Sequence, residues 1–232
     1  AQDGHEPSLE SNWSNCLCGG ITAQSTCYNE GSKHKTRRDM VHPAEQKYIG
    51  VIGSSSNVPE DIYKMAEEIG RLIAAAGCIT VTGGGTGIME AASRGAKQAG
   101  GLVVGILPEG DRHGANAYID VAIPTGVGYA LRNITTIRSC DSVIMIRGSS
   151  GTLNEVTQAY AHGKPLTVLQ GSGGMADRLE AFLPIPGYLD ERRTVQIEFV
   201  KTTNEAVQQA VARIGTVPPP KLGLTVEHVR DQ

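Results

Sequence analysis

The chain has 232 residues, of which 40% are hydrophobic, 19% charged and 4% aromatic, enough for one good core, and disorder throughout is excluded. Its 21 Lys+Arg against 24 Asp+Glu give a net charge of −3, too balanced for a protein that coats nucleic acid or an anionic membrane, so nucleic acid is disfavoured and a small-molecule partner is the default. Glycine supplies 29 residues without a Gly-X-Y period, well above the usual ~7%, which points to glycine-dense loops.

Residues 1–46 hold only five large aliphatic side chains (Leu9, Leu17, Ile21, Met40, Val41) and a basic run, Lys33-His34-Lys35-Thr36-Arg37-Arg38, so they read as an N-terminal extension that cannot build its own core. From Tyr48 short apolar runs alternate with amphipathic ones. Tyr48–Ile52 predicts a buried strand. Residues 59–76 predict a helix, because Ile62, Met65, Ala66, Ile69, Leu72, Ile73 and Ala76 recur at helical spacing. Strands then follow at 78–82, 102–107, 120–123, 142–146, 165–169 and 194–200. The intervening helices fall at 87–99, 130–139, 153–162 and 175–182, with a last one at 204–214. Strands apolar on both faces and separated by helices predict an α/β fold: a doubly wound, mostly parallel sheet with helices on both faces, Rossmann-like, spanning 47–215 as a single domain. Val217-Pro218-Pro219-Pro220 ends it, so 216–232 is a tail.

In such folds ligands sit at the carboxyl ends of the strands, and that is where the glycines lie. Three strand-to-helix turns are rich in Gly, Ser and Thr: Gly53-Ser54-Ser55-Ser56, Gly83-Gly84-Gly85-Thr86-Gly87 and Gly148-Ser149-Ser150-Gly151-Thr152. One such turn is what any α/β fold needs. Three together favour a bound phosphate, since they let backbone N–H groups and the positive ends of helices approach an anion. None has the G-x-G-x-x-G spacing with an acidic partner, nor the P-loop G-x-x-x-x-G-K-[ST], which disfavours NAD enzymes and ordinary NTPases. Glu155 follows the third turn within a helix start, and Arg132 opens the preceding helix; Arg suits bidentate phosphate binding.

Thr82-Gly83-Gly84-Gly85-Thr86-Gly87-Ile88-Met89, Gly105-Ile106-Leu107-Pro108, Arg132 with Arg138, and Gly151-Thr152-Leu153-Asn154-Glu155 occur in this order. Together they resemble the LOG-like, Rossmann-type superfamily, whose members carry the old label "possible lysine decarboxylase". Gly171-Ser172-Gly173-Gly174 and Tyr188-Leu189-Asp190 make the branch of molybdenum-cofactor carrier proteins the nearest in appearance. The superfamily's enzymes release free base and ribose 5-phosphate from nucleoside 5′-monophosphates. The resemblance implies Arg132 and Glu155 as catalytic residues, with Met89 joining Gly53, Ser54, Ser55, the 83–87 turn and the 148–152 turn in binding ligand. It also implies a homo-oligomer, dimer or tetramer. Arg147 replaces the proline and Ser149 the second glycine of the family's P-G-G-x-G-T-x-x-E motif, which leaves a phosphate loop and weakens the case for hydrolysis.

Three functions follow as expectations. The first is a cytoplasmic carrier or sensor of a phosphorylated small molecule, a nucleotide or molybdenum cofactor, with no further cofactor required. The second is a phosphoribohydrolase using Arg132 and Glu155, and the third an interaction module working through the basic N-terminal arm. A pyridoxal-phosphate lysine decarboxylase is not expected, because none of the turns carries a Schiff-base Lys. Leu72–Met89, a long stretch free of charged residues, holds five glycines and does not read as a membrane span. Cys78 and Cys140 read as buried thiols; Cys16, Cys18 and Cys27, with His34 and His42, have zinc-ligand types but too weak a spacing for a metal to be assigned. Asn12-Trp13-Ser14 fits a glycosylation acceptor only in a secreted protein.

Overall fold

The structure, a computed structural model, describes residues 45–217. The N-terminal extension up to residue 44, with the cysteine cluster at 16–27 and the basic run, and the residues beyond 217 lie outside these.

Seven strands and six helices alternate: β1 (Tyr48–Gly53), α1 (Glu60–Ala75), β2 (Ile79–Thr82), α2 (Ile88–Gln98), β3 (Val103–Leu107), β4 (Val121–Pro124), α3 (Gly128–Arg138), β5 (Ser142–Ile146), α4 (Ser150–Ala161), β6 (Leu166–Leu169), α5 (Ala176–Phe182), β7 (Ile197–Val200) and α6 (Thr203–Ala212). They form one sheet in the order β4-β3-β2-β1-β5-β6-β7. Every adjacent pair is parallel. The chain winds outward from β1 to one edge, then returns to add β5 on the other side, so the topological switch lies between β1 and β5.

Strand periodicity of two divides the core. Ile49, Val51, Ile144 and Ile146 face α1, α2 and α6, packing on Ile62, Ile69, Ile88 and Val207. Ile52, Val143 and Met145 face the other layer, where Ile137, Val156, Tyr160 and Leu179 come from α3, α4 and α5. α1 starts behind Pro59 with Glu60 and Asp61 in its first turn, an arrangement the helix dipole favours. It stops at Gly77 (φ +71), whose N–H bonds the Ala74 carbonyl while that of Cys78 bonds Ile73, a Schellman end.

β4 departs from the expectation of strands buried on both faces. It is an edge strand, and Val121 and Ile123 are 45% and 43% exposed. β7 is also shorter than expected: residues 194–196 leave the sheet, and the Thr194 N–H donates to the Tyr160 hydroxyl at 3.3 Å.

α1 and α2 cross with backbone nearly in contact, at two glycines. A Cβ on Gly70 would overlap the Ala92 carbonyl oxygen, and one on Gly95 the Glu67 carbonyl oxygen. Gly95→Ala is therefore expected to destabilise the fold by roughly 1–3 kcal/mol through overpacking, seen as a lowered Tm. Gly110→Ala, whose new methyl would meet open space, should leave Tm nearly unchanged.

Candidate functional site

The turns after β1, β2 and β5 meet at the switch point. Ser54 joins all three: its Oγ accepts from the Gly148 N–H at 3.2 Å, and its carbonyl accepts from the Ile88 N–H at 3.0 Å. Thr86 Oγ1 adds a donor bond to the Ser55 carbonyl at 2.7 Å. In the second turn the Asn116 amide donates to the carbonyls of Gly84 (3.0 Å) and Gly85 (2.9 Å). The Gly84 and Gly85 carbonyls are thus occupied, while the N–H groups of Gly85, Thr86 and Gly87 meet no acceptor among the described residues.

The third turn is shorter than expected because α4 begins at Ser150 and absorbs Ser150, Gly151 and Thr152 into its first turn. Those residues carry the unbonded N–H groups of a helix start, and Ser149 makes no side-chain cap. Arg147 precedes them at φ +57, a left-handed conformation that costs a non-glycine residue about 1 kcal/mol. It is held there from both sides: its N–H donates to Ser172 Oγ at 2.7 Å and its carbonyl accepts from the Ala176 N–H at 2.9 Å.

Arg132 reaches this point from α3. It is buried, 6% exposed, yet its Nε and Nη1 have no hydrogen-bond partner. Gly83 makes room for it, since a Cβ there would overlap Arg132 Nη1. The Tyr129 ring lies 6.0 Å from the guanidinium carbon, a cation–π distance. Glu155 projects from α4 and is 8% exposed. Burial pushes its carboxyl pKa up to about 7, against a smaller downward pull from Arg132. Asn133, next along α3, fixes the α4 opening by donating to Asn154 Oδ1 at 3.1 Å and more weakly to the Gly151 carbonyl.

Two adjoining cavities of about 250 Å³ each make the cleft. Gly53, Ser54, Ser149, Gly151, Thr152, Asn133 and Glu155 line one; Gly83, Gly85, Thr86, Leu107, Pro108, Glu109 and Gly114 line the other. Ser55, Met89, Tyr129 and Arg132 belong to both. Four residues expected to bind ligand lie outside the lining. Gly84 packs on Leu107, Gly87 on the Ser54–Ser55 backbone and Gly148 on Thr152, while Ser150 sits on the exposed start of α4. Tyr129, Asn133 and Glu109 were not singled out from sequence. The rule that ligands sit at strand ends points to Glu109, which follows β3 by two residues.

The family model for the SLOG cluster4 family matches residues 46–209. The chain belongs to that family. A cytokinin riboside 5′-monophosphate phosphoribohydrolase of Mycobacterium tuberculosis is 31% identical over 144 residues, 58% of this chain and 76% of that one. Among solved structures, the molybdenum cofactor binding protein of the phototrophic bacterium Rippkaea orientalis is 32% identical with a TM-score of 0.63, over 73% of this chain and 98% of that one. The molybdenum cofactor carrier protein of Chlamydomonas reinhardtii is 30% identical with a TM-score of 0.60, over the same shares. The LOG-like resemblance and the Rossmann-like α/β class therefore both hold. Among the described residues no helix is long and apolar enough to cross a membrane.

Proposed function

We propose that this protein binds a phosphorylated small molecule, a nucleotide or molybdenum cofactor, in the two-lobed cleft and holds it as a carrier or sensor in the cytoplasm. Arg132 carries this reading. A buried guanidinium with two unpartnered N–H-bearing nitrogens is costly unless an anion completes it. The free N–H groups at the start of α4 stand beside it, so the ligand's phosphate has both charge and backbone donors, and the 83–87 turn lines the adjoining lobe. No further cofactor is needed for this role. The homo-oligomer, dimer or tetramer, is part of the same proposal; Val127, Tyr129 and Leu131, exposed at the opening of α3, are apolar side chains that such a contact would cover.

A second reading, nucleoside 5′-monophosphate hydrolysis, is favoured by the mycobacterial relative and by Glu155 beside Arg132. Ionised, Glu155 could stabilise an oxocarbenium-like sugar and orient the water that adds at its C1′, while the departing base takes up a proton. Titration calorimetry with AMP and GMP, followed by chromatography for free base and ribose 5-phosphate, separates the two. Micromolar binding without product is the expected result. Free base that disappears in Glu155→Ala would replace the carrier with a hydrolase, and absence of binding by any nucleoside monophosphate or by neopterin phosphate would overturn the phosphate reading.

A further inference from the structure

The lobe beneath β3 differs chemically from the one at α4. Met89, Leu107 and Pro108 give it an apolar wall, Tyr129 stands at its junction with the α4 lobe, and Glu109 is the only carboxylate on its lining. That carboxylate makes no hydrogen bond or ion pair among the described residues and lies against Gly114, where a side chain would crowd it: a Cβ there would be 3.2 Å from its nearer oxygen. Each lobe carries one carboxylate, Glu109 under β3 and Glu155 at the α4 end; the unbonded N–H groups of the α4 helix start draw a phosphate to that end, so a ligand lying across Arg132 places its ring system in the β3 lobe.

Resting on the phosphate reading, we infer that Glu109 selects heterocycles presenting a 2-amino-4-oxopyrimidine edge, the edge that guanine and pterins share. That edge offers two parallel N–H donors, ring and exocyclic, to the two oxygens of a carboxylate in a charge-assisted bidentate pair. Adenine offers one N–H beside a ring-nitrogen lone pair, which meets a carboxylate with repulsion. Hypoxanthine offers the ring N–H alone. Recognition by paired hydrogen bonds discriminates strongly because the wrong edge leaves polar groups unmatched.

The test compares GMP, IMP, AMP and neopterin phosphate by calorimetry on the full chain. GMP is expected to bind at least tenfold tighter than AMP, with IMP between them, and Glu109→Gln should shrink the GMP-to-AMP ratio to threefold or less. Because Glu109 is exposed, an unchanged Tm checks that the variant folds. Neopterin phosphate tighter than GMP assigns the edge to a pterin; the reverse assigns it to a guanine nucleotide. Equal GMP and AMP affinities, or a ratio that survives Glu109→Gln, overturn the inference and leave phosphate binding intact. Failure of all four ligands to bind overturns both.

Discussion

Arg132→Ala is expected to weaken binding of a phosphorylated ligand by roughly a hundredfold or more. Nε and Nη1 are both buried and both without partners. A ligand phosphate that meets them gains two charge-assisted hydrogen bonds of about 1.5–3 kcal/mol each. Arg132→Lys keeps the charge and loses the planar fork, so it should recover only part of the affinity. Stability is expected to respond much less than affinity, because removing the side chain also removes two buried nitrogens without hydrogen-bond partners, even as it opens a void beside Gly83. Calorimetry with GMP and a melting curve on each variant check this. Affinity within threefold of the parent in Arg132→Ala would remove the guanidinium from the site.

Glu155→Gln is expected to change how stability depends on pH. The carboxyl titrates near 7 when folded, against an ordinary value of 4.5. The folded chain therefore binds the proton more tightly than the unfolded one between these values, and stability falls as pH rises from about 4.5 through 7. The full loss is about 3 kcal/mol. Glutamine has no such proton, so the variant should match the parent near pH 4.5 and exceed it at pH 8 in urea titrations. Parallel curves for the two proteins would show that Glu155 is not held in this environment. Ligand affinity carries a second sign. Ionised Glu155 repels a phosphate bound at Arg132, so the parent's affinity relative to Glu155→Gln should decline as pH rises past 7. Hydrolysis would do the opposite, its rate rising as the carboxylate forms. The ratio of variant to parent cancels the phosphate's own titration.

Most of the architecture was legible because hydrophobic period and strand spacing are local. The run from Ile62 to Ala76 and the apolar Ser142–Ile146 each carry their own signature, and both elements fall within two residues of expectation. β4 falls where its apolar run places it, but its burial is set non-locally: Val121 and Ile123 are apolar, and only the strand order shows that β4 is the edge strand among the described residues. The site divides the same way. Glycine turns at strand ends mark where ligand approaches. Which glycine faces the cleft and which fits another loop depends on partners such as Ser54 and Gly148, 94 residues apart. Glu155 was visible as a helix-start acid; its elevated pKa comes from burial among side chains drawn from several elements. Gly70 and Gly95 gave no hint that α1 and α2 touch backbone to backbone through them.

The conformation of Arg147 bears on how this turn can change. The LOG-like motif that this turn resembles has proline at this position, whose ring holds φ near −65° and which has no N–H. Here φ is +57 and the N–H is bonded to Ser172. Arg147→Pro would break that bond and demand a different backbone, with Ser172 left short of its donor. The Arg147 turn and the Ser172 loop are thus one coupled unit, in which the shape of the first depends on the hydroxyl of the second.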